Sequence, residues 1–366
     1  MEISWPAVVA RRMRRHYLTE PAASPVDAVR AMCGAHAQVL SAGETSVALR
    51  VQDATRETVQ SDPGLVKTFG PRGTVHLLPL ADLPMWTGAL SALPAGQQPP
   101  EIMRMTADQQ AEVIAAIGDA LSDAELTIDE LSVEVVRRTG SWAGDLVMPA
   151  FQTYWPRWRQ VIPAAANAGV LCYGANRGRA TTYTTPQRHG AFVPMNGEKA
   201  LTELLHRYLF AYGPATPQQF ARWIKTTVTV VRPYFESLPE TEFGFLAPGD
   251  EEFADEPVEG VHLLPYFDAY GVGCFPRELV FPGKALERAT NRGQAGNYPL
   301  LLMDGSVAGV WHQKKSGRTL QITVEPLVPL SRKQQAALDA AVARVAAIQG
   351  GKGDLTVGEI TVGPHA

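Results

Sequence analysis

The stretch Leu65-Val66-Lys67-Thr68-Phe69-Gly70-Pro71-Arg72-Gly73-Thr74-Val75-His76-Leu77-Leu78 decides the fold class. Its two arms are rich in apolar and β-branched residues, and Gly70-Pro71-Arg72-Gly73 between them supplies turn residues, so it reads as a hairpin. Helices precede it. Residues 5–17 place apolar and basic side chains at helical spacing, and Ser24-Pro25-Val26-Asp27 is an N-cap, a first-turn proline and an early acid that start a helix running to Cys33. Gly34 breaks that helix, and Val39, Leu40, Val47, Ala48 and Leu49 resume a helical period. Helices followed by such a hairpin make a winged helix.

The pattern recurs further along the chain. Segments 127–139 and 161–168 read as helices, followed by Val170-Leu171-Cys172-Tyr173, a turn over 174–179 and Ala180-Thr181-Thr182-Tyr183-Thr184. A third unit begins with a helix over 201–212. There Thr216 is an N-cap, Pro217 follows it and Gln219 holds the capping-box position. The helix they start, 220–224, would be the middle helix of a helix-turn-helix, with 230–238 as the recognition-like helix. Beyond lie short β-rich runs at 261–264, 278–281, 299–303, 307–311 and 320–324, which suggest a barrel or sandwich, and a closing helix over 332–348. The expected fold class is α+β: three tandem winged-helix modules (1–126, 127–192 and 193–243) plus a C-terminal β-barrel-like domain (244–366). Trp155 and Trp158, at helical spacing, read as core more than as a stacking platform.

The 366 residues, 45% of them apolar, suffice for a substantial core divided among two or three domains. Cys33, Cys172 and Cys274 are far apart and show no metal-ligand spacing, which argues against a zinc site and a disulfide framework and for a cytoplasmic protein. No apolar run reaches the roughly 18 residues of a membrane span, and Arg11, Arg12, Arg14 and Arg15 lead into no apolar h-region, so no membrane and no export signal are expected. The net charge of −4 hides segregation. Between Arg137 and Gly190 seven arginines (137, 138, 157, 159, 177, 179 and 188) face one acid, Asp145. By contrast, Glu240, Glu242, Asp250, Glu251, Glu252, Asp255, Glu256 and Glu259 form a run without a basic residue, read as a solvated acidic loop.

The chemistry is sought at His36-Ala37-Gln38, at the start of the helix that carries Arg50. These are two water-orienting side chains beside a candidate DNA-binding helix, a combination suited to hydrolysis of a bond whose leaving group is already charged. Phosphate contacts are expected from Arg50, from Arg72 at the first hairpin turn, from Arg177 and Arg179 at the second, and from Lys314, Lys315 and Arg318 in a cationic hairpin tip. Asp268 is expected to bond a backbone group or to pair with Arg277. No GxSxG, HExxH, intact P-loop or dinucleotide fingerprint occurs, and no cofactor or metal is expected. The lysine nearest the triplet is Lys67, so a Schiff-base lyase mechanism is not expected.

Five stretches together resemble the AlkZ/YcaQ family of winged-helix DNA glycosylases over almost the entire chain. They are His36-Ala37-Gln38, Arg72-Gly73-Thr74-Val75-His76-Leu77, Phe210-Ala211-Tyr212-Gly213-Pro214-Ala215-Thr216, Pro265-Tyr266-Phe267-Asp268-Ala269-Tyr270 with Arg277, and Asp304-Gly305-Ser306-Val307-Ala308-Gly309-Val310-Trp311. The resemblance implies three winged helices and a β-barrel around a DNA-binding concavity, and a catalytic Gln-x-Gln or Gln-x-Asp triplet. His36 replaces the first glutamine of that triplet, and Gln38 keeps the last. It further implies a monomer acting on double-stranded DNA that carries alkylated bases, chiefly bulky N7-alkylguanine adducts or crosslinks of a genotoxic natural product. Alkylation at N7 gives guanine a positive charge, so the base leaves without a strong general acid. The protein then has to hold a water and stabilise the oxocarbenium-like sugar. Gln38 accepts from that water through its carbonyl oxygen and neutral His36 through a ring nitrogen, so activity should fall below about pH 6.5, the reference histidine value. Two other readings stand beside this one: a winged-helix transcriptional regulator and a non-catalytic lesion-binding protein. A regulator calls for sustained heptads or a sensor domain, and neither is visible.

Overall fold

The computed structural model describes residues 3–94, 96, 99–254 and 256–363. The chain falls into two compact units, one of residues up to 65 together with 205 onward, the other of residues 66–204. These units are coarser than the four modules expected from sequence, and their boundaries fall elsewhere.

In the first unit, Ser4 caps the helix Trp5–Arg15 by accepting from the Ala7 N–H. Four arginines of this helix are engaged by other parts of the chain. Buried Arg12 donates to the carbonyls of Phe275 (2.7 Å), Pro214 (3.0 Å) and Gly213 (3.3 Å). Arg11 and Arg15 both pair with Asp250, and Arg14 pairs with Glu256. Lys333 pairs with Glu259. The acidic run is therefore in part a docked counter-charge, because the N-terminal helix offers it an arginine-rich face; Asp255 lies outside the described residues. The capped helix Pro25–Ala31 follows, then the two-residue strand Ala35–His36 and the helices Leu40–Ala48 and Arg56–Gln60. Later, Thr216 and Gln219 form the expected capping box of Pro217–Ile224. The anticipated helix over 230–238 is only the turn Val228–Val231 followed by the 3₁₀ turn Arg232–Phe235. Pro233 lacks an N–H and its ring clashes with the preceding turn, which stops an α-helix there.

The unit ends in a five-stranded sheet ordered Val261–Leu264, Leu300–Met303, Ser306–Ser316, Thr319–Pro326 and Lys352–Val357. The first four strands pair antiparallel and the last pairs parallel to Thr319–Pro326. The sheet curls into a half-barrel. Leu338, Val342, Val345 and Ala346 of the helix Arg332–Ile348 pack on Leu263, Leu301, Trp311, Ile322 and Val324 in one buried cluster. The expected strand over 278–281 is instead a helical turn, Arg277–Val280. Its four residues lie between Pro276 and Pro282, a run too short for periodicity to separate helix from strand.

The second unit opens with the hairpin, whose arms are Leu65–Phe69 and Val75–Pro79, the second shifted by one residue from the expected 74–78, around a tight turn in which Arg72 has φ of 64°. Helices Ala107–Leu121, Ile128–Thr139 and Ile162–Asn167 enclose a core of Val113, Ile117, Leu131, Val135, Trp158 and Leu171. Beside them Thr182–Thr184 pairs with Leu126–Thr127 on one side and Cys172–Tyr173 on the other. Trp158 is fully buried, and its indole N–H donates to the Ser132 hydroxyl at 3.0 Å. Trp155 lies instead on an unanticipated hairpin, Leu146–Ala150 with Thr153–Pro156, whose Phe151 is 89% exposed. Pro149 in one arm concealed it, since proline in a run argues against a strand.

Candidate active site

The helix Leu40–Ala48 positions the triplet. His36 ends its short strand with only 9% of its surface exposed, whereas Gln38, two residues before the first helical residue, is exposed. Gly43 lets the helix lie directly on the triplet backbone. A Cβ at position 43 would stand 2.7 Å from the His36 carbonyl oxygen and 3.2 Å from the Ala37 Cα.

The imidazole of His36 stacks on the ring of Phe267, with centroids 4.5 Å apart and planes at 29°. Phe267 has φ of 55°, a conformation costly for an aromatic residue and held here by its surroundings. Its N–H donates to the Gly296 carbonyl at 3.1 Å, and a Cβ on Gly296 would come within 2.6 Å of the Phe267 ring. One residue on, Asp268 ties this loop to the helix that carries the triplet. Its two oxygens accept from Nη1 and Nη2 of Arg50, both at 2.9 Å, and from the Ser46 hydroxyl at 2.7 Å. The Tyr270 N–H adds a bond at 3.0 Å. Burial pushes the Asp268 carboxyl up, but the Arg50 guanidinium and these hydrogen bonds outweigh burial and leave it below its ordinary value.

Arg50 is thus not a phosphate contact. It is 0% exposed, and besides Asp268 it donates to the carbonyls of His16 (2.9 Å) and Ser46 (2.7 Å). A guanidinium with its donors spent inside the core has none to offer to DNA. Asp268 likewise does not pair with Arg277, which donates to the carbonyls of Gly271 (2.6 Å), Cys274 (2.7 Å) and Val272. The other cations stay at the surface. Lys314, Lys315 and Arg318 are exposed at the turn joining Ser306–Ser316 to Thr319–Pro326. Arg179 is exposed, Arg72 is half-buried, and Arg177 chelates Glu130 through two 3.0 Å bonds. Sequence reasoning missed Gly43, Ser46 and Phe267; the last lies in a stretch it had quoted.

Beside the triplet opens a recess of about 160 Å³. Val39, Ser41, Ala42 and Thr45 form one wall, Pro265 and Tyr266 a second, and Pro299, Trp311, His312, Gln313 and Gln349 the remainder. The site therefore offers two polar side chains capable of orienting a water, one of them clamped against an aromatic ring, next to a cavity of ring dimensions.

Two further histidines set an acid limit. Burial, helped by the nearby charge of Arg50, pushes His16 down to about 3 and His262 to about 4. Both are neutral in the folded protein at neutral pH, and both would take up protons on unfolding below about 6.5. Their contribution to stability is complete above that pH and is lost as pH falls toward the folded values, at about 1.4 kcal/mol per pH unit for each group. Denaturant melts between pH 7 and 4 should show this decline, and His16→Gln should flatten it by about one proton's worth of slope.

A family model described as DNA glycosylase AlkZ-like matches residues 29–348. An interstrand DNA cross-link repair glycosylase of Streptomyces sahachiroi is 32% identical, with 96% of this chain and 98% of that protein covered. The solved structure of the Streptomyces sahachiroi DNA glycosylase AlkZ superposes with a TM-score of 0.82 at 28% identity, over 98% of this chain and 100% of that one.

Proposed function

Because the chain belongs to the AlkZ-like family of DNA glycosylases, we propose that it hydrolyses the N-glycosidic bond of alkylated purines in duplex DNA, with His36 and Gln38 holding the attacking water. The observation that carries this reading is the exposed Gln38 two residues after a His36 clamped on Phe267. Gln38 accepts from the water through its amide oxygen. Neutral His36 accepts through a ring nitrogen and takes the proton as a weak base, while the cationic alkylbase departs. The enzyme is monofunctional, as the distance in sequence to Lys67 suggests, and leaves an abasic site for base excision repair.

The helix–hairpin units at 1–126, 127–192 and 193–243 act as winged helices on the duplex, and the half-barrel supplies a further contact. Arg72, Arg177, Arg179, Lys314, Lys315 and Arg318 meet phosphates. The substrates are bulky N7-alkylguanine adducts or crosslinks of a genotoxic natural product, against which the enzyme protects its host; the description of the Streptomyces relative as an interstrand cross-link repair glycosylase supports the crosslinks. It works in the cytoplasm as a monomer.

The test is incubation with duplexes bearing a single N7-methylguanine or a single bulky N7 adduct, followed by a count of alkali-labile breaks. Breaks in either series that vanish in Gln38→Ala establish the glycosylase, and the preferred series identifies its branch. Binding without breaks in both would favour a regulator or a non-catalytic lesion binder. Gly43→Ala provides a second check. Its methyl group can be accommodated only by moving the triplet backbone, so we expect a stability loss of about 1–3 kcal/mol. Because a misplacement of the order of 1 Å can cost about 10²-fold, excision should fall at least tenfold at unchanged duplex affinity.

A further inference from the structure

The recess beside the triplet has a donor and acceptor pattern of its own. Gln349 Nε2 donates to Gln313 Oε1 at 2.8 Å. Gln349 caps the C-terminus of the helix Arg332–Ile348, and Gln313 stands on the strand Ser306–Ser316, so both are carried on regular elements. The amide–amide bond uses one donor and one acceptor. Among the described residues nothing takes the Gln313 amide N–H₂ or the Gln349 carbonyl oxygen. If both amides turn together the result is the same, one donor next to one acceptor facing the recess.

Ser41, Tyr266 and His312 bring further polar groups to the walls, whereas the remaining groups are committed elsewhere or apolar. The Trp311 indole N–H is committed to the Leu264 carbonyl at 2.9 Å, and the Thr45 hydroxyl donates to the Ser41 carbonyl at 2.7 Å. Pro265, Pro299 and Ala42 present only hydrocarbon. The volume, about 160 Å³, is close to that of an engineered apolar cavity of about 150 Å³ that holds a benzene ring. It suits a flat heterocycle seated through an open mouth and leaves no room for a polycyclic adduct as well.

We propose that this recess receives the purine ring of the excised base, with Gln313 and Gln349 reading its edge as a coupled pair and the alkyl substituent projecting outside. The proposal deepens the glycosylase reading and rests on it for the identity of the ligand. A purine edge presents a neighbouring acceptor and donor, O6 with N1–H in guanine or N1 with the exocyclic amine in adenine, and either meets the amide pair in full. The pair thus reads a base edge of this kind, which pyrimidines also present, and selectivity among adducts falls to whatever lies outside the recess. Enzymes that act on a base commonly take it out of the stack into such a pocket; here the pocket takes the ring and not the adduct.

Binding of free 7-methylguanine to the full-length protein, followed by calorimetry, tests this without requiring turnover. We expect saturable binding by wild type, weakened about tenfold or more in Gln313→Leu and in Gln349→Leu, the scale of a lost hydrogen bond whose partner stays unpaired. Lys333→Gln, on an exposed ion pair away from the recess, should bind as wild type. Unaltered melting curves would show that the Leu variants are folded, and Ser41→Phe, which adds a ring at another lining position, should abolish binding independently. Failure of wild type to bind the base, or binding indifferent to all three recess substitutions, would overturn the proposal even if excision is observed. Base binding that depends on the amide pair in a protein that excises nothing would uphold the recess and overturn the glycosylase reading.

Discussion

Gln38→Ala should lower the single-turnover rate of excision by about 10²–10³-fold, the cost of removing one preorganised polar group from a hydrolytic site, while duplex affinity and melting behaviour stay unaltered. The separation is possible because Gln38 is exposed, so its truncation leaves no cavity in the core. His36→Gln is the informative companion, since it restores the glutamine expected at the first position of the triplet and keeps a carbonyl acceptor without a titrating ring. We expect it to retain most of the activity and to lose any dependence of the rate on protonation of the ring. A wild-type pH profile that is retained unchanged in His36→Gln would show that the charge on the ring does not govern the reaction. Loss of duplex affinity in Gln38→Ala would instead make that residue a binding contact.

What the chain discloses on its face is local. The arms 65–69 and 75–79 around Gly70-Pro71-Arg72-Gly73, the capping box at Thr216 and Gln219, and the closing helix Arg332–Ile348 were all legible, because turn chemistry, caps and periodicity act within a few residues. Elements whose partners are distant were not. Lys352–Val357 reads as a glycine- and charge-rich tail, and becomes a strand only because Thr319–Pro326 offers it a parallel edge. Arg50 shows the same limit at the site. On a helix next to a catalytic triplet, an arginine invites a phosphate, and nothing local signals that an aspartate 218 residues away will bury it. For Asp268 the expected backbone bond is found, to the Tyr270 N–H, but the alternative partner Arg277, nearer in sequence than Arg50, is satisfied by three backbone carbonyls. Tertiary pairing of charges is the information a linear reading lacks.

That pairing carries the largest expected effect on stability. Arg50→Met and Asp268→Leu should each destabilise the first unit by about 3–5 kcal/mol, because each leaves the other charge in a site with 0% exposure. The double variant should recover much of this, as apolar residues of similar volume often replace a buried ion pair at little cost, and denaturant melts of the three variants would close the cycle. Activity should not return with it. Asp268 also accepts from Ser46 and from the Tyr270 N–H, and so fixes the loop whose preceding residue, Phe267, carries the His36 ring. Leucine at 268 can fill the volume but can anchor none of these donors, so the double variant should fold and still excise poorly. If excision recovers in step with stability, the pair serves the fold alone and the His36–Phe267 stack holds without it. If stability recovers and excision does not, the buried pair positions the catalytic histidine, and the placement of the water is set from a half of the chain that the triplet's neighbours in sequence do not reach.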